Sequence, residues 1–442
     1  MPGTGTGRGN RQPQASRPGR IGLLAAMAIG IGGMVGAGIF SILGVVAEVS
    51  GSAMWLSFLV GGVVALFSTY SYAKLGIRYP SAGGAVEFLV KGFGDGVVSG
   101  GINLYMWIGY VIALALYAHA FAGYGMTFLP SGSPLWLKDG CAVGIVLLFT
   151  GVNYIGAQEM GRWETFIVLV KLFILLLFAV SGAFFLKPQY LSQPLPPITG
   201  ILFGAGILFI GYEGFGLVCN AAEDMAEPGK LLPRALYLSV ISVIFIYLAV
   251  SVTVLGNLPV PAIVAAKDYA LAQAAKPFLG TWGFKLVAIA ALFSTASAIN
   301  ATLYGGANVS YMLARDGELP RVFARKVWHR SSGGLFITAV LVILFVMFFD
   351  LSKIAMMGSG AFLLIYACVN AAHLKIIADT GAKKWLVWLS LATCLAMLAV
   401  LSVYIYQNSK MAFITMLTLL PVCFGLEWIY RIKTARVIKT RT

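Results

Sequence analysis

The sequence predicts an all-α integral membrane protein of twelve spans, built as a five-plus-five inverted repeat with discontinuous first and sixth helices. Three observations carry this. Apolar runs of about 20 residues, the length a bilayer-spanning helix needs, recur along the 442-residue chain. Charged residues make up only 11% of the chain and mean hydropathy is +0.88, so too few charges exist to coat a soluble globule. Two glycine clusters lie five spans apart. With 59% hydrophobic residues the chain is also far from the composition of disorder. Its net charge of +15 leaves nucleic-acid binding open only if the positive charge gathers on one face.

In order, the expected spans are 21–46, 52–74, 97–128, 140–157, 163–186, 199–221, 234–257, 281–313, 334–350, 354–376, 383–406 and 411–434. The third and eighth are long and should tilt or extend past the bilayer. The ninth and tenth are divided only around Asp350 and Lys353. Residues 1–20, rich in Gly, Pro, Arg and polar side chains, read as a disordered cytoplasmic arm able to touch anionic lipid. Residues 21–380 form the ten-helix inverted-repeat core, 381–434 supply helices 11 and 12, and 435–442 are a cytoplasmic tail.

Twelve spans place both termini on one side. Of the 31 Lys and Arg residues, 23 then lie on the side of the termini, seven on the other, and Lys171 within a span. The positive-inside rule puts both termini in the cytoplasm and the chain in the cytoplasmic membrane. The charge is therefore a topology signal, and the nucleic-acid reading loses its basis. The first span reads as an uncleaved signal-anchor. All five cysteines fall in spans, and neither a disulfide framework nor a metal-ligand spacing is visible.

The first span contains Gly30, Gly32, Gly33, Gly36 and Gly38; the sixth contains Gly211, Gly214 and Gly216. Each interior glycine costs a helix about 1 kcal/mol relative to alanine. Small residues can simply let helices pack closely. Two clusters at matched positions of two halves point instead to locally unwound segments, as in inverted-repeat transporters. Such backbone survives in a membrane only against protein or a water-filled cavity. A half-helix N-terminus suits a carboxylate and free carbonyls suit an ammonium, so two facing breaks would suit a zwitterion.

Two charged residues sit well inside spans, Lys171 in the fifth and Glu213 in the sixth. A charge at the bilayer centre costs at least about 2.5–3.5 kcal/mol on insertion scales, so both are functional candidates. Lys171 can pair with Glu213, contact an anionic substrate, or titrate, because burial disfavours the charged form; snorkelling is the plain alternative. Glu213 can be protonated, pair with Lys171, line a site for cationic substrates, or simply accept bonds from loose backbone N–H groups. Ser294 and Ser297 share a face of the eighth span, although hydroxyls in a span commonly bond back to their own helix.

Five motifs in order make the chain resemble the amino acid–polyamine–organocation (APC) superfamily over most of residues 20–435. They are Gly36-Ala37-Gly38-Ile39-Phe40, Tyr79-Pro80-Ser81-Ala82-Gly83-Gly84, Glu223 with Pro228, Pro233-Arg234-Ala235, and Arg315-Asp316-Gly317-Glu318-Leu319-Pro320. Residues 166–172, 276–280 and 300–309 resemble the proton-coupled, broad-specificity amino acid transporters within it.

This resemblance implies a LeuT-type fold and proton-coupled amino acid transport by alternating access, with H+ as coupling ion and no cofactor. The alternative is a proton-independent amino acid or polyamine exchanger. An intramembrane enzyme using a Lys–Glu pair has no metal, nucleophile or cofactor motif behind it. By resemblance, Lys171 stands where sodium-coupled relatives hold a sodium ion. It would gate by gaining and losing a proton, bonded to the Gly32 carbonyl and to Ser294 or Ser297. The substrate carboxylate would meet N–H groups of Gly36, Ala37 and Gly38. Its ammonium would meet carbonyls near Met34, Ile210 and Glu213, with Tyr212 and Phe215 covering it. Many members carry an acid directly after the sixth-span Gly-aromatic pair. Here Gly216 follows Gly214-Phe215 and the acid is Glu213, which leaves substrate preference open.

Overall fold

A computed structural model describes residues 21–434 apart from 82, 131, 156–159, 316–325 and 329–330. The expected arm (1–20), the tail (435–442) and Asp316–Pro320 of the fifth motif lie outside the described residues. Helices α1 (Leu23–Met34) and α2 (Ala37–Ser50) form the first span, and α3 (Met54–Arg78) the second. After a short α4 (Ala85–Phe93) come α5 (Val97–Met126), α6 (Leu135–Ile155), α7 (Met160–Ala183) and the single turn α8 (Pro188–Leu191). The sixth span is α9 (Ile198–Leu208), a 3-10 segment (Phe209–Gly216) and α10 (Leu217–Asn220). Next are α11 (Pro228–Asn257), α12 (Val260–Ala266) and α13 (Ala270–Arg315). A small antiparallel pair, β1 (Lys326–Trp328) with β2 (Ser331–Ser332), precedes α14 (Gly333–Phe348). The described residues end in α15 (Leu351–Lys375), α16 (Ile377–Thr380), α17 (Lys384–Asn408) and α18 (Lys410–Thr434).

Among the described residues, ten helical stretches are long and apolar enough to cross a membrane. The first, Leu23–Arg78, carries the expected first and second spans together. The 16-residue α14, at the place of the ninth, is shorter than a usual span. Helix α13 begins eleven residues before the expected eighth span. Gly280, at φ 63° and ψ −157°, interrupts the helical backbone there, three residues after Pro277. The uncertain division between the ninth and tenth spans falls at Asp350. Its side chain caps α15, accepting the Lys353 N–H at 2.9 Å, and also pairs with the Lys353 ammonium at 2.7 Å. Hydropathy alone missed α4 and α12, which are too short to register as spans.

Packing sorts the helices into inner and outer ones. Helix α5 is buried along nearly its whole length from Ser99 to Tyr124, as a helix apolar on every side must be. Helix α15 is buried over most of Leu351–His373. By contrast, α6, α7, α17 and α18 expose Leu147, Phe173, Leu395 and Leu417, faces that suit lipid. The interrupted first and sixth spans lie against each other beside α5 and α15.

Candidate functional site

The first span stops being helical at Val35. An inverse γ-turn there (φ −82°, ψ 66°) lets the Gly36 N–H donate to the Met34 carbonyl at 2.9 Å. The last carbonyls of a helix have no partner inside it, and three other helices supply donors for them. Lys171 Nζ on α7 donates to Gly32 O at 3.0 Å. Tyr247 on α11 donates to Met34 O at 2.6 Å, and Ser294 on α13 to Val35 O at 3.1 Å. A cation at a helix C-terminus also suits the helix dipole. Beyond the turn, α2 starts on Gly36 with no side-chain cap. Of the three N–H groups expected to face a carboxylate, that of Gly36 is thus already bonded within the turn, and Ala37 and Gly38 lead the new helix.

The sixth span takes a different course. Residues 209–216 stay hydrogen-bonded as a 3-10 helix, and none of Gly211, Gly214 and Gly216 has positive φ. Close approach explains Gly214 here and Gly38 in the first span. A Cβ on Gly214 would lie 2.2 Å from the Gly33 carbonyl carbon, and one on Gly38 would lie 2.7 Å from the Gly211 Cα. The sixth-span interruption is thus a change from α to 3-10 helix, with Ser359 bridging the Ile210 N–H and the Ile207 carbonyl, whereas the first span opens outright at Val35–Gly36; small-residue packing joins the two clusters.

Three residues per turn also set which side chains face where. Residues 209, 212 and 215 share one side. Tyr212 donates to Phe58 O on α3 at 2.8 Å and packs on Tyr247. Phe215 packs on Tyr72 and Tyr366. Both rings are buried between helices, Tyr212 against the tyrosine that bonds to Met34 O. Residues 210, 213 and 216 share another side. Ile210 donates its N–H to Ser359 Oγ at 2.9 Å. Glu213 and Gly216 line a cavity of about 20 Å³, room for about one water, together with Tyr72, Tyr110, Asn220 and Tyr366.

Lys171 and Glu213 are 3% and 4% exposed, which removes snorkelling as the account of Lys171. The ion pairs among the described residues do not join them. Lys171 reaches Gly32 O, while Glu213 Oε1 accepts from Tyr117 OH on α5 at 3.2 Å. The Glu213 carbonyl accepts from Tyr366 OH. Two of the carbonyls expected to receive an ammonium are thus already engaged: Met34 O by Tyr247 and Gly36, and Glu213 O by Tyr366. Thr295 bonds back to Ala291 O in its own helix, whereas Ser294 reaches across to the break. Ser297, one turn on, is half-buried.

Sequence reading overlooked Tyr117, Tyr247 and Tyr366. The signal was present: a tyrosine amid an apolar run must find its hydroxyl a partner. Glu427 was also passed over. It is 1% exposed in α18 and accepts from Arg431, which also pairs with Asp95. The second motif is explained locally. Ser81 Oγ accepts the Gly83 N–H, and Gly84, at φ 50°, starts α4 where a Cβ would lie 2.1 Å from Asn220 Oδ1. Ala82 lies outside the described residues.

A family model described as amino acid permease matches residues 21–424. Uncharacterized protein MJ0609 of Methanocaldococcus jannaschii is 40% identical over 94% of this chain and 96% of its own length. Inner membrane transport protein YbaT of Escherichia coli is 36% identical over 88% of this chain and 90% of its own. Cationic amino acid transporter 3, mitochondrial, of Arabidopsis thaliana is 28% identical over 79% of this chain and 61% of its own. These relatives and the apolar helices indicate a multi-pass membrane transporter and not an enzyme. The chain belongs to the amino acid permease family.

Proposed function

We propose that the protein carries amino acids across the cytoplasmic membrane together with protons, by alternating access. In this reading the chain has twelve spans, ten of them in a LeuT-type five-plus-five repeat, with both termini cytoplasmic. The observation that carries it is the contact from Lys171 Nζ to the Gly32 carbonyl, at the point where α1 ends. With its proton, Lys171 holds that end of α1 against α7. Without it, the amine loses its charge-assisted bond and α1 is released to move with the sixth span. The substrate carboxylate is assigned to the start of α2, at the Ala37 and Gly38 amides. The ammonium is assigned to the side of the 3-10 segment that carries Ile210 and Glu213, near Tyr117. Ser294 steadies the turn through Val35 O, and Ser297 lies on the same helix face.

Uptake into liposomes, with and without an imposed pH gradient, tests this. Lys171→Ala is expected to abolish gradient-driven accumulation while leaving substrate binding measurable. A Lys171→Ala protein that still accumulates substrate uphill with the gradient would sink the mechanism. Counterflow without net uptake in the unaltered protein would identify an exchanger.

Glu213 is assigned the choice of substrate. A buried carboxylate bonded only partly by Tyr117 favours an amino acid whose side chain brings a cation or hydrogen-bond donors. That reading is in keeping with the name of the Arabidopsis relative. Glu213→Gln is expected to reduce uptake of cationic more than neutral amino acids; equal uptake of both classes would reject it.

A further inference from the structure

A second feature of α13 lies at the end of the bundle opposite the termini. Trp282, Leu286, Ile289 and Phe293 are all exposed and follow one another at helical spacing, forming one apolar stripe. Trp282, 81% exposed, stands at its end, where an aromatic ring belongs at a membrane–water interface. Beside it is a cavity of about 350 Å³ lined by Thr127, Phe128, Lys276, Thr281, Phe284 and Lys285. Lys276 Nζ lies 4.5 Å from the Phe284 ring centre and Lys285 Nζ 5.7 Å from that of Trp282. Among the described residues neither lysine is in an ion pair.

The two lysines should not meet. Nine residues apart on an unbroken α-helix, at about 100° per residue, they would point to opposite sides. Gly280 brings them to one cavity. It sits at φ 63°, ψ −157°, torsion angles that only glycine adopts freely, and it bends α13 between them.

We propose that this cavity binds the phosphate of an anionic phospholipid in the leaflet opposite the termini. Two ammonium groups held on ring faces supply the charge, and the described lining holds no acidic side chain to neutralise it. The Thr127 hydroxyl is already a donor to Tyr124 O, so its oxygen remains an acceptor for a headgroup hydroxyl. The adjoining stripe from Trp282 to Phe293 offers the acyl chains a surface. That surface is what distinguishes a lipid from a free phosphate as occupant.

The test uses the purified full-length protein in detergent, titrated with phosphatidylglycerol, phosphatidylcholine or soluble glycerol phosphate, with bound lipid counted by native mass spectrometry. Phosphatidylglycerol is expected to bind preferentially, and Lys276→Gln with Lys285→Gln to weaken it by about tenfold. Gly280→Ala retains both lysines and should weaken binding as well, because it removes the bend. Melting without lipid identifies any variant that has simply lost its fold, and the paired Gln variant carries the test if Gly280→Ala does so. Undiminished phosphatidylglycerol binding in the folded double variant would overturn the proposal. So would equal binding of phosphatidylcholine, or glycerol phosphate binding as tightly as the lipid.

Discussion

In the first span the helix stops outright at Val35–Gly36, and its carbonyls are taken up by Lys171, Tyr247 and Ser294 from three other helices. In the sixth, an equally glycine-marked stretch tightens into a 3-10 helix, with Ser359 bridging the Ile210 N–H and the Ile207 carbonyl at its start. Glycine content made the two look alike. The difference lies in what surrounds them: a helix can end inside a membrane where other elements bring donors to its free carbonyls. The sixth span also receives such donors, Ser359 to Ile207 O, Tyr247 to Gly211 O and Tyr366 to Glu213 O, yet its backbone stays in a 3-10 helix. One segment is therefore held chiefly by side chains, the other by side chains together with its own 3-10 backbone bonds and close contact.

The sharpest way to break this comparison is to alter that contact. Gly214→Ala would push a methyl into the backbone of Gly33. It should cost about 1–3 kcal/mol or more, read as a lower melting temperature. Gly216→Ala meets only the Tyr72 ring, at 3.2 Å, and should cost clearly less. Equal losses would mean that the approach of the two spans is not the constraint. Tyr247→Phe removes the hydroxyl that bonds to a carbonyl in each interruption, Met34 O and Gly211 O. A loss of about 1–2 kcal/mol is expected, with faster amide exchange at both segments. The smallest effect belongs to Ser294→Ala, which frees Val35 O alone and should cost about 0.5–1.5 kcal/mol. Its exchange signature should be confined to the first span; a change at residues 209–216 would show the two interruptions to be coupled through more than Tyr247.

Much of the helical layout was legible because hydropathy is a local property. Runs such as Val97–Met126 and Lys384–Asn408 carry their own evidence of length and apolarity. Lys171 and Glu213 stood out for the same reason, as charges in otherwise apolar sequence. Their partners were not legible in this way. Nothing near Glu213 in the chain names Tyr117, 96 residues away, and nothing near Met34 names Tyr247. The orientation of Tyr212 and Phe215 depended on a 3-10 rather than an α repeat, which glycine content did not disclose. Lys276 and Lys285 share a cavity only because Gly280 adopts positive φ, a choice that composition permits without requiring it.

By itself, then, the sequence determined that the chain is a bundle of apolar helices, which runs are long enough to span, and that Lys171 and Glu213, charges deep within spans, need an explanation. Burial of apolar surface and the cost of a charge in hydrocarbon follow from residue type and spacing alone. Only the tertiary structure decided where the first span breaks, which carbonyl Lys171 holds, and which face of the 3-10 segment Glu213 occupies. Hydrogen bonds between helices are set by the relative placement of distant segments, and that placement exists only once all of them have packed.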